Sequence, residues 1–266
     1  MAYTTIDDPS AHFKCQLYTG TGSSRSVTFN DTDTEMAPDK VWIKARDANS
    51  HGNFDVLRGV NESFKTEGED KETTRTDALS AFDSNGFSFN GGHVTVNENT
   101  NTYVAWCWKG NGSGSANTTG SINTTATSAN ATAGFSLSTY TGNSTSGATI
   151  GHGIGAVPHF IIVKNRDADL SWQIYHHKNT SAPETDYLVL DTTAATADDA
   201  DRWNDTAPTS SVFSLGNGDQ VNDNAVGFVA YCWASVQGFS KFGSYIGNAN
   251  ANGDFIYLGF KPALVI

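Results

Sequence analysis

Five blocks of this sequence return in the same order more than a hundred residues downstream, which constrains the chain to an architecture that can be built twice. Tyr18-Thr19-Gly20 recurs as Tyr140-Thr141-Gly142, and Pro38 to Asp47 recurs as Pro158 to Asp167. Phe87-Ser88-Phe89 matches Phe213-Ser214-Leu215, Val96 to Asn99 matches Val221 to Asn224, and Tyr103 to Trp108 matches Phe228 to Trp233. The offset runs from 120 between Pro38 and Pro158 to 126 between Phe87 and Phe213, so small insertions fall between blocks and order is kept. Tyr245-Ile246-Gly247 and Pro262-Ala263-Leu264-Val265-Ile266 open a third, incomplete copy.

The repeat divides the chain into a first unit over 1–110, a second over 135–238 and the start of a third over 239–266. Residues 111–134 are nearly all Gly, Ser, Thr, Asn and Ala and read as a flexible linker, leaving the first unit free to move. The join at Ala234–Gly238 is much shorter, so the third segment is expected to pack on the second unit or a neighbouring subunit, or to be a truncated repeat.

Within each unit the signals are those of strands. Val41-Trp42-Ile43 and Phe160 to Val163 are short β-branched and aromatic runs. Tyr103, Ala105 and Cys107 alternate with Val104, Trp106 and Trp108, two apolar faces that predict a central strand buried on both sides. Leu188 to Leu190, Val212-Phe213 and Phe255 to Leu258 are further strand candidates, whereas Asp77 to Phe82 offers at most a turn of helix. Dense turn chemistry, as in Ser84-Asn85-Gly86 and Gly216-Asn217-Gly218, completes the picture. The expected fold is all-β: tandem antiparallel β-sandwich units of jelly-roll or lectin-like type.

Composition removes several function classes. Sixteen Lys plus Arg stand against 28 Asp plus Glu, a net charge of −12, which supplies no basic face for nucleic acid or an anionic membrane. No apolar run approaches the roughly 18 residues of a membrane-spanning helix. The opening residues have neither the basic nor the apolar region of a secretory signal. Cys15, Cys107 and Cys232 are odd in number and far apart, which argues against a disulfide framework or a cysteine zinc site. Cys107 and Cys232 are expected to be small buried hydrophobes.

No catalytic residue, metal or cofactor is assigned. The acids Asp31, Asp33 and Glu35 have carboxylate spacing suited to calcium, but they lack the glycine and distal glutamate of a calcium loop and have no counterpart in the second unit. Asp198, Asp199 and Asp201 leave metal binding open. No G-x-S-x-G elbow supports Ser-His-Asp chemistry. Sugar recognition is easier to build, because aromatic rings stack on C–H faces while polar side chains bond hydroxyls. Trp203, flanked by polar residues, is the expected surface contact, with His176 and Tyr175 as further ligand-binding candidates; Tyr175 and Trp172 read equally well as core strand residues.

The blocks Thr4 to Ala11, Tyr18-Thr19-Gly20, Pro38 to Lys44, Asp55 to Gly59, Ser80 to Phe87 and Tyr103 to Trp106, with Gly151 to Gly155 and Phe239 to Tyr245 later on, carry a likeness over nearly the whole chain. In these the sequence resembles repeat-built, tail-fibre-like virion appendage proteins of marine tailed bacteriophages of the cyanophage kind. The resemblance implies lectin-like modules in a tail or head fibre, other virion proteins and a host cell-surface glycan as partners, and assembly as a homo-oligomer, a trimer. It also implies a virion protein made in the host cytoplasm, with adhesion rather than catalysis; a glycan-degrading fibre and a purely architectural decoration protein are the alternatives. One departure separates the units: Ser171 to Tyr175 stands where the first unit has Asp55, Arg58 and Gly59, so any role of Asp55 and Arg58 belongs to the first unit alone.

Overall fold

The structure, a computed structural model, describes residues 4–30, 33–47 and 50–266. The first half holds β1 (Phe13–Thr19), β2 (Ser23–Thr28), β3 (Lys40–Ala45), β4 (His51–Asp55), β5 (Glu62–Ser63), β6 (Thr73–Thr74), β7 (Leu79–Asp83), β8 (Gly86–Gly91) and β9 (Thr102–Trp108). The second half continues with β10 (Ala126–Asn130), β11 (Phe135–Thr141), β12 (Ala148–Gly151), β13 (Phe160–Asn165), β14 (Gln173–His176), β15 (Asp186–Val189) and β16 (Ala197–Asp198). A short helix α1 (Ala200–Trp203), β17 (Val212–Leu215), a second helix α2 (Asp219–Asn222) and β18 (Gly227–Trp233) follow. The fold is all-β and its named strand pairs are antiparallel.

Strand order follows the sequence pattern. The first large sheet runs β1-β9-β3-β4, and the second contains the same order, β11-β18-β13-β14, extended at one side by β10 and at the other by β15 and β16. Behind the first lies β2-β8-β7, and behind the second β12-β17. The recurring residues have recurring tasks. Tyr18 stacks on Tyr103 at 5.2 Å and donates its hydroxyl to the Val96 carbonyl; Tyr140 stacks on Phe228 at 5.2 Å and donates to Val221. Asn97 donates its amide to the Gly91 carbonyl, and Asn222 does the same to Gly216. A Cβ at Gly20 would meet the Glu98 carbonyl oxygen at 2.1 Å and one at Gly142 the Asp223 oxygen at 2.2 Å, so Tyr-Thr-Gly ends on glycine because another backbone occupies that space.

The alternation in β9 and β18 builds a four-layered stack with three cores. Tyr103, Ala105 and Cys107 face β2 and β8, with Val27, Phe87 and Phe89. Phe228, Ala230 and Cys232 face β12 and β17, with Ile150, Phe213 and Leu215. The remaining faces meet each other: Trp42, Phe64 and Trp108 pack into one buried cluster with Phe135, Leu137, Ile162, Trp172, Ile174, Val229, Tyr231 and Trp233. Cys107 and Cys232 are buried, and burial pushes both thiols up.

Three expectations are corrected. The first region does not stand apart from the second, because the two large sheets share that middle core. Residues 111–134 are not a free linker: β10 pairs with β11, Ser115 bridges Thr127 and Ile122 bridges Ile150. Hydroxyls fill the place of hydrocarbon there, with Thr127 Oγ1 2.9 Å from Ser138 Oγ and 3.0 Å from Thr124 Oγ1, all buried. Leu79–Asp83 form strand in place of the turn of helix that was the most 77–82 offered, since Ala78 and Leu79 face the core and Ser84-Asn85 turns β7 into β8, with Gly86 at φ +136°.

Residues 239–266 contain no strand, Phe255 to Leu258 included. The topology explains this. In the order β1-β9-β3 the first and third strands of a unit flank the last and do not hydrogen-bond to each other, and 239–266 carry blocks of the first and third kind but none resembling Tyr103–Trp108 to join them. Phe242 nonetheless stacks on Phe160 at 5.7 Å, so the start of the segment docks on the second sheet, while Tyr245, Ile246, Phe255 and Tyr257 face outward.

Candidate functional site

Two of the three candidate ligand residues lie inside. Trp203 is 2 % exposed and meets Tyr175 edge-on at 6.2 Å in the core between β14 and β17. Asp199 caps α1, accepting from Asp201 N, and Asn204 leaves it at φ +53°; this single turn points Trp203 inward. Burial, with Glu184 second, pushes the Tyr175 phenol up to about 12. Neither ring is available to a sugar, which overturns the sequence expectation for both. His176, the next residue along β14, points to the opposite face, as strand alternation requires, and reaches the rim of a cleft.

That cleft, about 570 Å³, lies where the ends of the two large sheets meet and is partly roofed by residues 238–243 and 258–266. Its walls are two matching cross-strand rows. In the first sheet Phe13 pairs with Trp108, and in the second Phe135 pairs with Trp233, which pairs on with Phe160. The rings run in contact: Phe13–Trp108 at 5.1 Å, Trp108–Trp233 at 6.1 Å, Phe135–Trp233 at 5.3 Å and Phe160–Trp233 at 5.5 Å. Polar groups are few. His12, His176, Lys241 and Lys261 stand on the lining, and no carboxylate side chain does among the described residues. His177 donates from Nε2 to the Phe242 carbonyl at 3.1 Å, holding the roof, and stacks near His159 at 4.2 Å. Burial, then the neighbouring His177, lowers the pKa of both His159 and His176.

In the interior, the same interface holds a charged cluster. Asp55 Oδ2 accepts from Arg58 Nε at 2.6 Å and from the Tyr231 hydroxyl of the opposite sheet at 2.7 Å. Its other oxygen accepts from the backbone of Leu57 and Arg58 at 3.1 Å each. Burial would push Asp55 up, but the Arg58 charge leads the opposing effects and holds it below the ordinary carboxylate value. Arg58 continues to Glu72 at 3.0 Å, and Glu72 binds Arg166 of the second region at 2.6 Å. Lys40 Nζ sits 3.6 Å above the Tyr231 ring and 2.5 Å from Asn53 Oδ1. Neither Lys40 nor Asn53 stands out in the sequence as a site residue; the available signal is that the repeat replaces Lys40 by Phe160.

The acidic runs are spoken for differently than a metal site would need. Asp199 is a cap and an ion-pair partner of Arg202, Glu72 belongs to the cluster above, and Asp31 lies outside the described residues. No group of three or more metal-ligating side chains occurs among the described residues. No helix among them is long and apolar enough to cross a membrane.

No curated protein and no solved structure matches this chain. A family model does, described as a domain of unknown function, DUF7483, and it matches residues 8–266. With nearly the whole length covered, the chain belongs to the DUF7483 family.

Proposed function

We propose that this chain is a virion appendage protein, a tail or head fibre component, whose aromatic cleft holds sugar rings of a host-surface glycan. The cleft carries this reading. Phe13 and Phe160, the half-buried ends of the two rows, offer ring faces to pyranose C–H groups and are backed by the buried Trp108, Phe135 and Trp233, while His12, His176 and Lys241 stand where hydroxyls or an acidic substituent would lie. Hydrolysis of a glycan needs two carboxylates about 5–9 Å apart across the bond. The lining offers no such pair of side chains among the described residues, which favours binding over cleavage. Homo-oligomeric assembly, a trimer, and neighbouring virion proteins complete the proposal. The outward-facing Ile246 and Phe255, each 88 % exposed, favour a second, purely architectural reading in which 239–266 covers a neighbouring subunit.

The test is a glycan array on the recombinant protein, with and without EDTA, followed by titration of any retained glycan against Phe160→Ala and Phe13→Ala. The adhesive reading expects a metal-independent signal weakened about tenfold or more by either change. An empty array, with self-association through 239–266, leaves the architectural reading. Release of reducing sugar supports the degrading fibre instead.

A further inference from the structure

We infer that Lys40 and Asn53 are the two halves of an intramolecular cross-link, in which the lysine amine is acylated by the asparagine carboxamide and ammonia leaves. The proposal concerns the interior of the first region and does not depend on what the cleft binds. Lys40 on β3 faces Asp55 on β4 directly, and Asn53 is its diagonal neighbour, two residues back on the same face. All three side chains are buried. With Nζ 2.5 Å from Oδ1, and a C=O bond of about 1.2 Å, the amine lies no more than roughly 3.7 Å from Asn53 Cγ. That is close to the separation of about 3–3.5 Å at which oriented neighbours react as if at very high concentration.

The surroundings suit each partner. A lysine is nucleophilic only as the free amine, and burial drives the Lys40 ammonium well below its ordinary range, with nearby Arg58 acting in the same sense and Asp55 opposing. The amine rests against Tyr231 and Trp42, at 3.6 and 5.9 Å from the ring centroids, away from water. Asn53 cannot turn away at the backbone. Its N–H donates to Phe64 O at 3.0 Å, and its carbonyl accepts from Phe64 N at 3.2 Å and from Arg58 Nη2 at 2.9 Å.

The step balances without a co-reactant. The Nζ lone pair forms a bond to Asn53 Cγ, and the carbonyl pair moves onto Oδ1. The proton that Nζ sheds passes through the Asp55 carboxylate to Nδ2, the carbonyl re-forms, and the Cγ–Nδ2 bond breaks with its electrons leaving on ammonia. Nothing is oxidised or reduced. Asp55 acts as a positioning and relay residue, its cross-strand place opposite Lys40 being the reason for the assignment. The second region has Phe160, Ile174 and His176 at the three corresponding register positions, so it has no such pair.

Mass spectrometry of the full chain, denatured and then digested with trypsin, decides the matter. The expected intact mass is lower than that of the sequence by one ammonia. The digest should contain a branched peptide joining the Lys40 and Asn53 segments, with no cleavage after Lys40. Lys40→Arg and Asn53→Ala should each restore the unmodified mass, and Asp55→Asn should slow cross-linking roughly a hundredfold. A linear succinimide peptide, for instance at Asn85-Gly86, would match the intact mass but not the branched digest, and would count against the proposal. An unmodified mass with ready cleavage after Lys40 overturns it, whether or not the Asp55 variant folds.

Discussion

At three matching positions the two large sheets carry opposite chemistry. The first sheet offers Lys40, Asn53 and Asp55 to the interface; the second offers Phe160, Ile174 and His176, on strands of the same order and register. What the regions share is the frame: the Tyr-Thr-Gly turn, the buried asparagine that ties a loop, and the two-faced last strand. What they do not share is the surface between them. A duplicated module that merely sat beside its copy would have no reason to make its facing surfaces so unlike. Here one side is polar and buried, and its partners come from the other side, Tyr231 to Asp55 and Arg166 to Glu72. Two such surfaces fit each other and not themselves, so the interface fixes which sheet meets which.

The strongest way to break this comparison is to remove Asp55. Asp55→Ala takes from Arg58 its fully buried carboxylate partner, leaving Glu72, and takes from the Tyr231 hydroxyl its acceptor; breaking a buried ion pair from one side costs about 3–5 kcal/mol. The corresponding change in the second region, His176→Ala, removes a half-buried ring at the cleft rim and is expected to cost under about 1 kcal/mol. Urea unfolding of both variants measures the difference. Equal losses would mean that the polar side of the interface contributes nothing particular.

The contrast between regions also shows which parts of the molecule were legible in the sequence. The double apolar alternation of Tyr103–Trp108 announced a strand buried on both faces, because strand periodicity is local. Its partner on the face that carries Trp108 was not announced, since Trp108 and Trp233 do not say what they touch. Trp203 misled because a single helical turn has no periodicity, so polar neighbours suggested exposure. The 111–134 segment misled for another reason: β10 is buried through hydroxyl pairs such as Thr127–Ser138, and a reading based on hydrocarbon misses burial of that kind. The cleft wall, by contrast, was spelled out twice as Phe13/Trp108 and Phe135/Trp233, but only the registers show that the rows converge.

A second comparison sets the two folded copies against the third. Gly20→Ala and Gly142→Ala each drive a methyl into backbone within 2.1–2.2 Å, and relieving such overpacking costs about 1–3 kcal/mol. A methyl at Gly247 would have nothing within 4 Å, and Gly247→Ala should change stability by less than about 0.5 kcal/mol. Denaturant midpoints for the three variants test whether 239–266 adopts the turn its sequence shares with the other copies. A large loss at Gly247 would show that it does.

The smallest expected effect separates the regions by pH. Burial is the leading cause that lowers the pKa of His12, His51 and His93 in the first region and of His152, His159 and His176 in the second. A histidine whose folded value lies under 6.5 binds fewer protons folded than unfolded in that window. Its contribution is therefore complete above about pH 6.5 and is lost as pH falls through the folded value. Asp8 and Asp55, lowered from 3.8, act only in a later, more acidic phase. The balance differs between regions. Asp8, Glu67 and Asp77 oppose the shift at the three histidines of the first. In the second, after burial, His177 lowers both His159 and His176, and His159 further lowers His176, beneath the docked Phe242. The melting temperature should fall by a few degrees, roughly 2–4 °C per kcal/mol lost, between neutral pH and about pH 5. Replacing His159 and His176 together by Gln should flatten that slope more than replacing His51 and His93. The reverse order would place the acid-sensitive contacts in the first region and not under the cleft roof.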